Sequence, residues 1–232
     1  MEPIVEIGKG IYTVPQAARI LKIDARKLGQ WVRMYWEFDF IKDVPRTSEG
    51  QIAEYQSVYT SGKGRNRVFN FYTLIEMITV YSLRELGVSF KRIKEAHKVA
   101  AEVLETSYPF AVEGFMTDRK NVIHNIDEVT SIFMDEKRQL SFRQLIEPFC
   151  LKIDFDEVTG FARRYWPLGK EKAVLVDPDH RFGEPVIKGT NISTKMITRL
   201  VESGEPVHFV AEEYDISEQD VMDAIEFNKN AA

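Results

Sequence analysis

Apolar residues in the first hundred positions recur at helical spacing, in runs broken by recognisable start and stop residues. Thr13-Val14-Pro15-Gln16 opens the first run: Thr13 can accept an early backbone N–H, Gln16 can reach back to it, and Pro15 suits a first turn. That helix should end at Lys22. After a tight turn at Ile23 and Asp24, Asp24 can cap a second helix from Ala25 to about Tyr35, with Leu28, Val32 and Tyr35 on one face. Two β-prone runs, Ser57–Thr60 and Arg67–Asn70, flank Ser61-Gly62-Lys63-Gly64-Arg65-Asn66, the pattern of a hairpin with a basic tip. An amphipathic helix is expected from about Tyr72 to Leu86, carried by Leu74, Ile75, Ile78, Tyr81 and Leu86 and ended by Gly87. Another follows from Ser89-Phe90 to about Glu105.

The rhythm weakens between Pro109 and Leu168, where β-branched and aromatic residues cluster in short stretches. A small mixed α/β segment is expected there, with a helix from Phe142 to about Pro148 and a strand at Leu151–Phe155. Trp166-Pro167-Leu168-Gly169-Lys170 marks a boundary. The last segment opens with a strand at Ala173–Val176 and turns at Pro178, Gly183, Pro185 and Gly189. Three short helices close it: Thr194 to Glu202, ended by Ser203-Gly204; Val207 to Tyr214; and one from the Ser217–Asp220 capping box to about Lys229. The expected fold is mainly α with small β elements. It divides into a winged helix-turn-helix at 10–106, a linker domain at 107–170, and a three-helix module preceded by a strand at 171–232.

At 232 residues and 44% hydrophobic content, the chain can bury one large core or several small ones. No apolar run approaches the ~18 residues that span a bilayer, and Met1-Glu2-Pro3-Ile4 lacks a basic-then-apolar leader, so a cytoplasmic protein is expected. The single cysteine, Cys150, lies between Phe149 and Leu151 and reads as a buried small hydrophobe, and His97, His124 and His208 stand isolated in the sequence, each read as a surface or packing histidine. Asp177-Pro178-Asp179-His180 brings two carboxylates and an imidazole together at a spacing that matches no metal-ligand rule. Neither a phosphate-cradling glycine loop nor a nucleophile elbow is present. A non-enzymatic protein without cofactor or metal is therefore expected.

Charge changes the picture. Residues 1–105 carry 16 Lys and Arg against 13 Asp and Glu, whereas the remainder carries 15 against 23. The basic half holds the elements suited to phosphates, and the acidic half is a plausible surface for a basic protein partner. On the second helix Arg26, Gln30 and Arg33 share the face opposite Leu28 and Val32, with Lys27 beside them. Arg and Gln carry the forked donors that match guanine and adenine edges in the major groove. Thr13 and Gln16 at the start of the first helix complete the expected DNA-binding set, and Lys63, Arg65 and Arg67 at the hairpin would grip phosphates.

These residues resemble the MerR-type winged-helix family, most clearly where Tyr72-Thr73-Leu74-Ile75-Glu76 is followed by the run from Ser82 to Lys94. Trp36 to Gln56 is longer and more aromatic than that family's usual connection. The C-terminal run Gly183-Glu184-Pro185-Val186-Ile187-Lys188-Gly189-Thr190-Asn191-Ile192, with Gly204, Ala211–Tyr214, Ser217 and Val221, looks like the short domain of VapB-type antitoxins; Asn191 stands where that family usually has Arg. The resemblance implies an antitoxin that represses its own operon and neutralises a PIN-like ribonuclease toxin, as a homodimer or within a toxin–antitoxin hetero-oligomer. Its partners would be operator DNA and the toxin. The partner-binding residues would be Arg181, Gly183, Pro185, Lys188, Gly189, Thr190, Asn191 and Lys229, with Arg181, Lys188 and Lys229 open as side chains that enter the nuclease centre. Two alternatives stand beside it: a MerR-like regulator with a small-molecule pocket at Pro109–Leu168, and a nuclease using Asp177, Asp179 and His180 with a metal.

Overall fold

The computed structural model describes residues 10–33, 59–61, 66–116 and 147–229. Among them the protein is mainly helical, with small antiparallel sheets. Strand β1 (Tyr12–Thr13) leads directly into α1 (Val14–Leu21). The expected capping box is present: Gln16 N–H donates to Thr13 Oγ1 at 3.4 Å, and Thr13 N–H donates to Gln16 Oε1 at 2.8 Å. Lys22 ends the helix in the left-handed conformation, φ 55°. Asp24 then accepts from Lys27 N–H at 2.8 Å and starts α2 (Ala25–Val32). Ala17, Ala18 and Ile20 of α1 and Leu28, Trp31 and Val32 of α2 are buried, so the two helices bury adjoining faces.

The hairpin pairs β2 (Thr60–Ser61) with β3 (Val68–Phe69), and β1 adds itself on the far side of β3, giving the order β1-β3-β2. Tyr12 and Thr60 both oppose Phe69. Two residues are too few to show a period, which is why β1 is invisible in the hydrophobic pattern.

Asn70 caps α3 (Phe71–Glu85), accepting from Thr73 N–H at 2.9 Å. The expected amphipathic helix is corrected here. α3 is buried nearly all round, since α4 (Phe90–Val103) and a 3-10 turn at Pro109–Ala111 pack against it. Its polar residues survive burial because each finds a partner. Thr73 Oγ1 donates to Tyr59 O (3.0 Å), Thr79 to Ile75 O (3.3 Å) and Ser82 to Ile78 O (2.8 Å). Glu76 meets His97 of α4 at 2.8 Å, and His97 packs edge-on against Phe110, a packing histidine.

Beyond α4 lies the short helix α5 (Glu113–Met116). The expected helix start at Phe142 lies outside the described residues; 147–150 are helical. Strand β4 (Ile153–Phe155) matches expectation and pairs with β5 (Ala162–Tyr165), which the charged pair Arg163-Arg164 concealed. A bridge from Tyr165 to Val176 carries this hairpin into the last segment.

There, β6 (Val174–Leu175) pairs with β7 (Val186–Ile187), and α6 (Thr194–Glu202), α7 (Val207–Glu213) and α8 (Glu218–Lys229) follow at the expected positions. The capping box at α8 forms, with Asp220 N–H donating to Ser217 Oγ at 3.1 Å and Ser217 N–H donating to Asp220 Oδ2 at 3.0 Å. Ala173, Ile187, Ile197, Val210, Ala211, Val221, Ala224 and Ile225 build a core of their own. Val174, Val176 and Phe227 turn instead into the larger core that contains Tyr12, Ala17, Leu28, Phe71 and Ile153. Buried Asp223 staples α8 to the strand edge: it accepts from Ala173 N–H (2.9 Å), Lys172 Nζ (2.9 Å) and Gln219 Nε2 (2.8 Å).

Candidate functional site

With Leu28, Trp31 and Val32 turned inward, the opposite face of α2 is left to Arg26, Gln30 and Arg33, all exposed. Trp31 sets the helix in place. Its ring lies 5.8 Å from Tyr81 of α3 and packs edge-on against Phe90 of α4 at 5.6 Å. Trp31 is missing from the core face expected from sequence, although its i+3 spacing from Leu28 puts the two on one side of the helix. Lys27 leans back onto the body. Its Nζ lies 5.2 Å from the Trp31 ring centroid and 5.5 Å from that of Tyr81, and it pairs with Glu85 at 3.5 Å. It is thus separated from the Arg26–Gln30–Arg33 face. Thr13 and Gln16 bond to each other in the cap of α1. Arg67 is half-buried at the entry to β3, and the tip residues Lys63 and Arg65 lie outside the described residues.

The C-terminal candidates separate by exposure. Arg181, Lys188, Gly189, Asn191 and Lys229 face solvent. Arg181 Nε pairs with Glu184 at 2.9 Å, and Lys188 Nζ sits 5.5 Å from the Trp166 ring centroid. Thr190 locks the turn after β7: it donates to Ile187 O at 2.9 Å and accepts from Ile192 N–H at 3.0 Å. Pro185 O receives Thr194 N–H at 3.1 Å, closing the turn onto α6. Gly183 is covered by Tyr12. Between Arg199 and Lys229 stand nine carboxylates and no Lys or Arg. On α7, Phe209 is exposed beside Glu212 and Glu213, three and four residues on and hence on the same face.

Asp177 is a buried anchor. It accepts from Arg164 Nε (2.8 Å) and Asp179 N–H (2.9 Å), with His180 Nδ1 at 3.1 Å, while Asp179 faces solvent. The paired carboxylates therefore point to different environments. Among the described residues no group of three or more His, Cys, Asp or Glu is placed to hold a metal. Burial pushes the Cys150 thiol up to about 12, which keeps it protonated and unreactive at neutral pH. Among the described residues no helix is long and apolar enough to cross a membrane.

Comparison with known proteins places these features in a wider context. Residues 174–228 match the family described as protein of unknown function DUF433. Over 230 residues the chain is 19% identical to "Putative antitoxin VapB45" of Mycobacterium tuberculosis strain H37Rv, covering 93% of this chain and 92% of that protein. The fold is similar to the X-ray crystal structure of Rv2018 from Mycobacterium tuberculosis, with a TM-score of 0.65 at 18% identity over 95% of this chain and 98% of that one. The chain is thus similar along nearly its whole length to an antitoxin-like protein, and its C-terminal three-helix module is the part that matches DUF433.

Proposed function

We propose that this protein is the antitoxin of a bacterial type II toxin–antitoxin pair, binding and neutralising a PIN-like ribonuclease toxin and repressing its own operon. The observation that carries this reading is the end-to-end similarity to a protein named as an antitoxin. The physical layout is compatible with it. The proposed division is a MerR-like winged helix-turn-helix at 10–106, a linker at 107–170 and an antitoxin module at 171–232. Arg26, Gln30 and Arg33 project from a helix whose other face is locked by Trp31, so they can enter a major groove without reorganising the head. Lys63, Arg65 and Arg67 would hold phosphates, and the acidic C-terminal module would meet a basic surface of the toxin. The work is binding, with no catalytic step assigned to the chain, and it takes place in the cytoplasm as a homodimer or toxin–antitoxin hetero-oligomer.

Co-expression with the adjacent open reading frame tests the antitoxin role: a stable complex and suppression of the neighbour's toxicity are expected, and unrelieved toxicity would exclude it. For the DNA role, Arg26→Ala with Gln30→Ala should weaken binding to the upstream duplex by ~1–3 kcal/mol per lost base contact. Unchanged gel-shift affinity would remove α2 as the reading helix.

A further inference from the structure

Helix α1 is held at both ends by the C-terminal segment. Just before it, Ile11 N–H donates to Phe182 O at 3.0 Å, and the buried Tyr12 hydroxyl lies under Gly183, where an added Cβ would fall on that hydroxyl. Gly183 also has φ +86°, so this position favours glycine twice over: by backbone conformation and by the close approach of Tyr12. Asp177 fixes the base of the same loop through Arg164, His180 and Asp179 N–H. Arg181 and Phe182 adopt left-handed conformations, φ 47° and 57°, and Phe182 remains 77% exposed. At the other end of α1, Lys22 Nζ lies 5.8 Å from the ring centroid of Phe227 on α8. Phe227 is 1% exposed and belongs to the core that contains Ala17, Ala18 and Ile20 of α1, whereas Val221, Ala224 and Ile225 of α8 belong to the C-terminal core.

A helix of two turns has little stability of its own, so tertiary contacts decide where it sits. We infer that Tyr12, Gly183 and Phe227 are positioning residues that set the pose of α1, and through it the outward face of α2, so that a disturbance of the 177–184 loop or of α8 weakens DNA reading although no DNA-facing side chain is changed. The link to DNA rests on the function proposed above; the mechanical coupling does not. Two cores that share one helix transmit a shift because packed interiors deform little.

Amide hydrogen exchange of the full-length protein tests the coupling without DNA. In Gly183→Ala, exchange across Ile11–Leu21 should rise at least tenfold while α3, α4 and α6–α8 stay within twofold, and Tyr12→Phe in the same chain should restore part of the protection. Unchanged exchange in α1 would overturn the inference. If Gly183→Ala loosens every helix, the near-isosteric Asp177→Asn decides: a rise confined to Ile11–Leu21 and the loop supports coupling, and no rise or a uniform one refutes it. In a gel shift with the duplex upstream of the reading frame, Gly183→Ala should bind at least tenfold more weakly although every α2 side chain is kept. Equal affinity together with loosened α1 would refute the link to DNA reading. A wild-type protein that ignores the duplex would instead refute the proposed DNA role, leaving exchange to judge the coupling.

Discussion

Glu76 and His97 meet carboxylate to imidazole at 2.8 Å inside the core, where α3 and α4 cross. The other Glu76 oxygen accepts Phe110 N–H at 2.7 Å, so one fully buried side chain ties α3 to both α4 and the Pro109–Ala111 turn. Truncation leaves the buried Phe110 N–H without its acceptor and takes away the group packed against His97. Glu76→Ala should therefore cost about 1–3 kcal/mol of unfolding free energy, in the range for a buried polar group left unsatisfied. Glu76→Gln, which keeps an acceptor for Phe110, should cost less. Urea unfolding of the two variants checks the order, and equal midpoints would show that the pair carries no weight.

Asp177 and Asp179 are neighbours in sequence with opposite fates. Asp177→Ala removes the acceptor from Arg164 and Asp179 N–H; the guanidinium is partly solvated, which limits the loss to about 1–3 kcal/mol. Asp179→Ala should change stability by no more than about 0.5 kcal/mol, as for other exposed positions. Thermal melts distinguish them. The same pair tests the nuclease alternative, because catalytic carboxylates would both be needed for cleavage while only one is needed for folding.

Acid should loosen the C-terminal module through Asp223. Burial by itself would raise the pKa of this carboxyl, but the Ala173 N–H, the Lys172 ammonium and the Gln219 amide outweigh burial and hold it below the ordinary 3.8. A depressed folded pKa means that the stabilisation is fully present above 3.8 and is lost as pH falls through the lower folded value. Melting temperature followed downward through that window should fall in the wild type. Asp223→Asn, already without the charge, should start lower and show a shallower slope; parallel curves would mean that another group governs the acid limb.

Local chemistry made much of this protein legible in advance. Thr13 with Gln16, Asp24 with the Lys27 amide, and Ser217 with Asp220 are partners three residues apart, so the starts of α1, α2 and α8 follow from short-range hydrogen bonding whatever the rest of the chain does. The alternation that frees Arg26, Gln30 and Arg33 while burying Leu28 and Val32 is likewise a property of helical pitch. Periodicity has no means of counting neighbours. It presented α3 as one-sided when helices and turns surround it, and it missed the two-residue β1, whose hydrogen bonds exist only once β3 of the hairpin lies beside it. Nor could it join Tyr12 to Gly183, or send Phe227 to a different core from Ile225 two positions earlier. Capping and amphipathic alternation are written into adjacent residues and survive in any fold. The grip of the C-terminal segment on α1 joins residues far apart in the chain, and close packing of the whole molecule decides which of them touch.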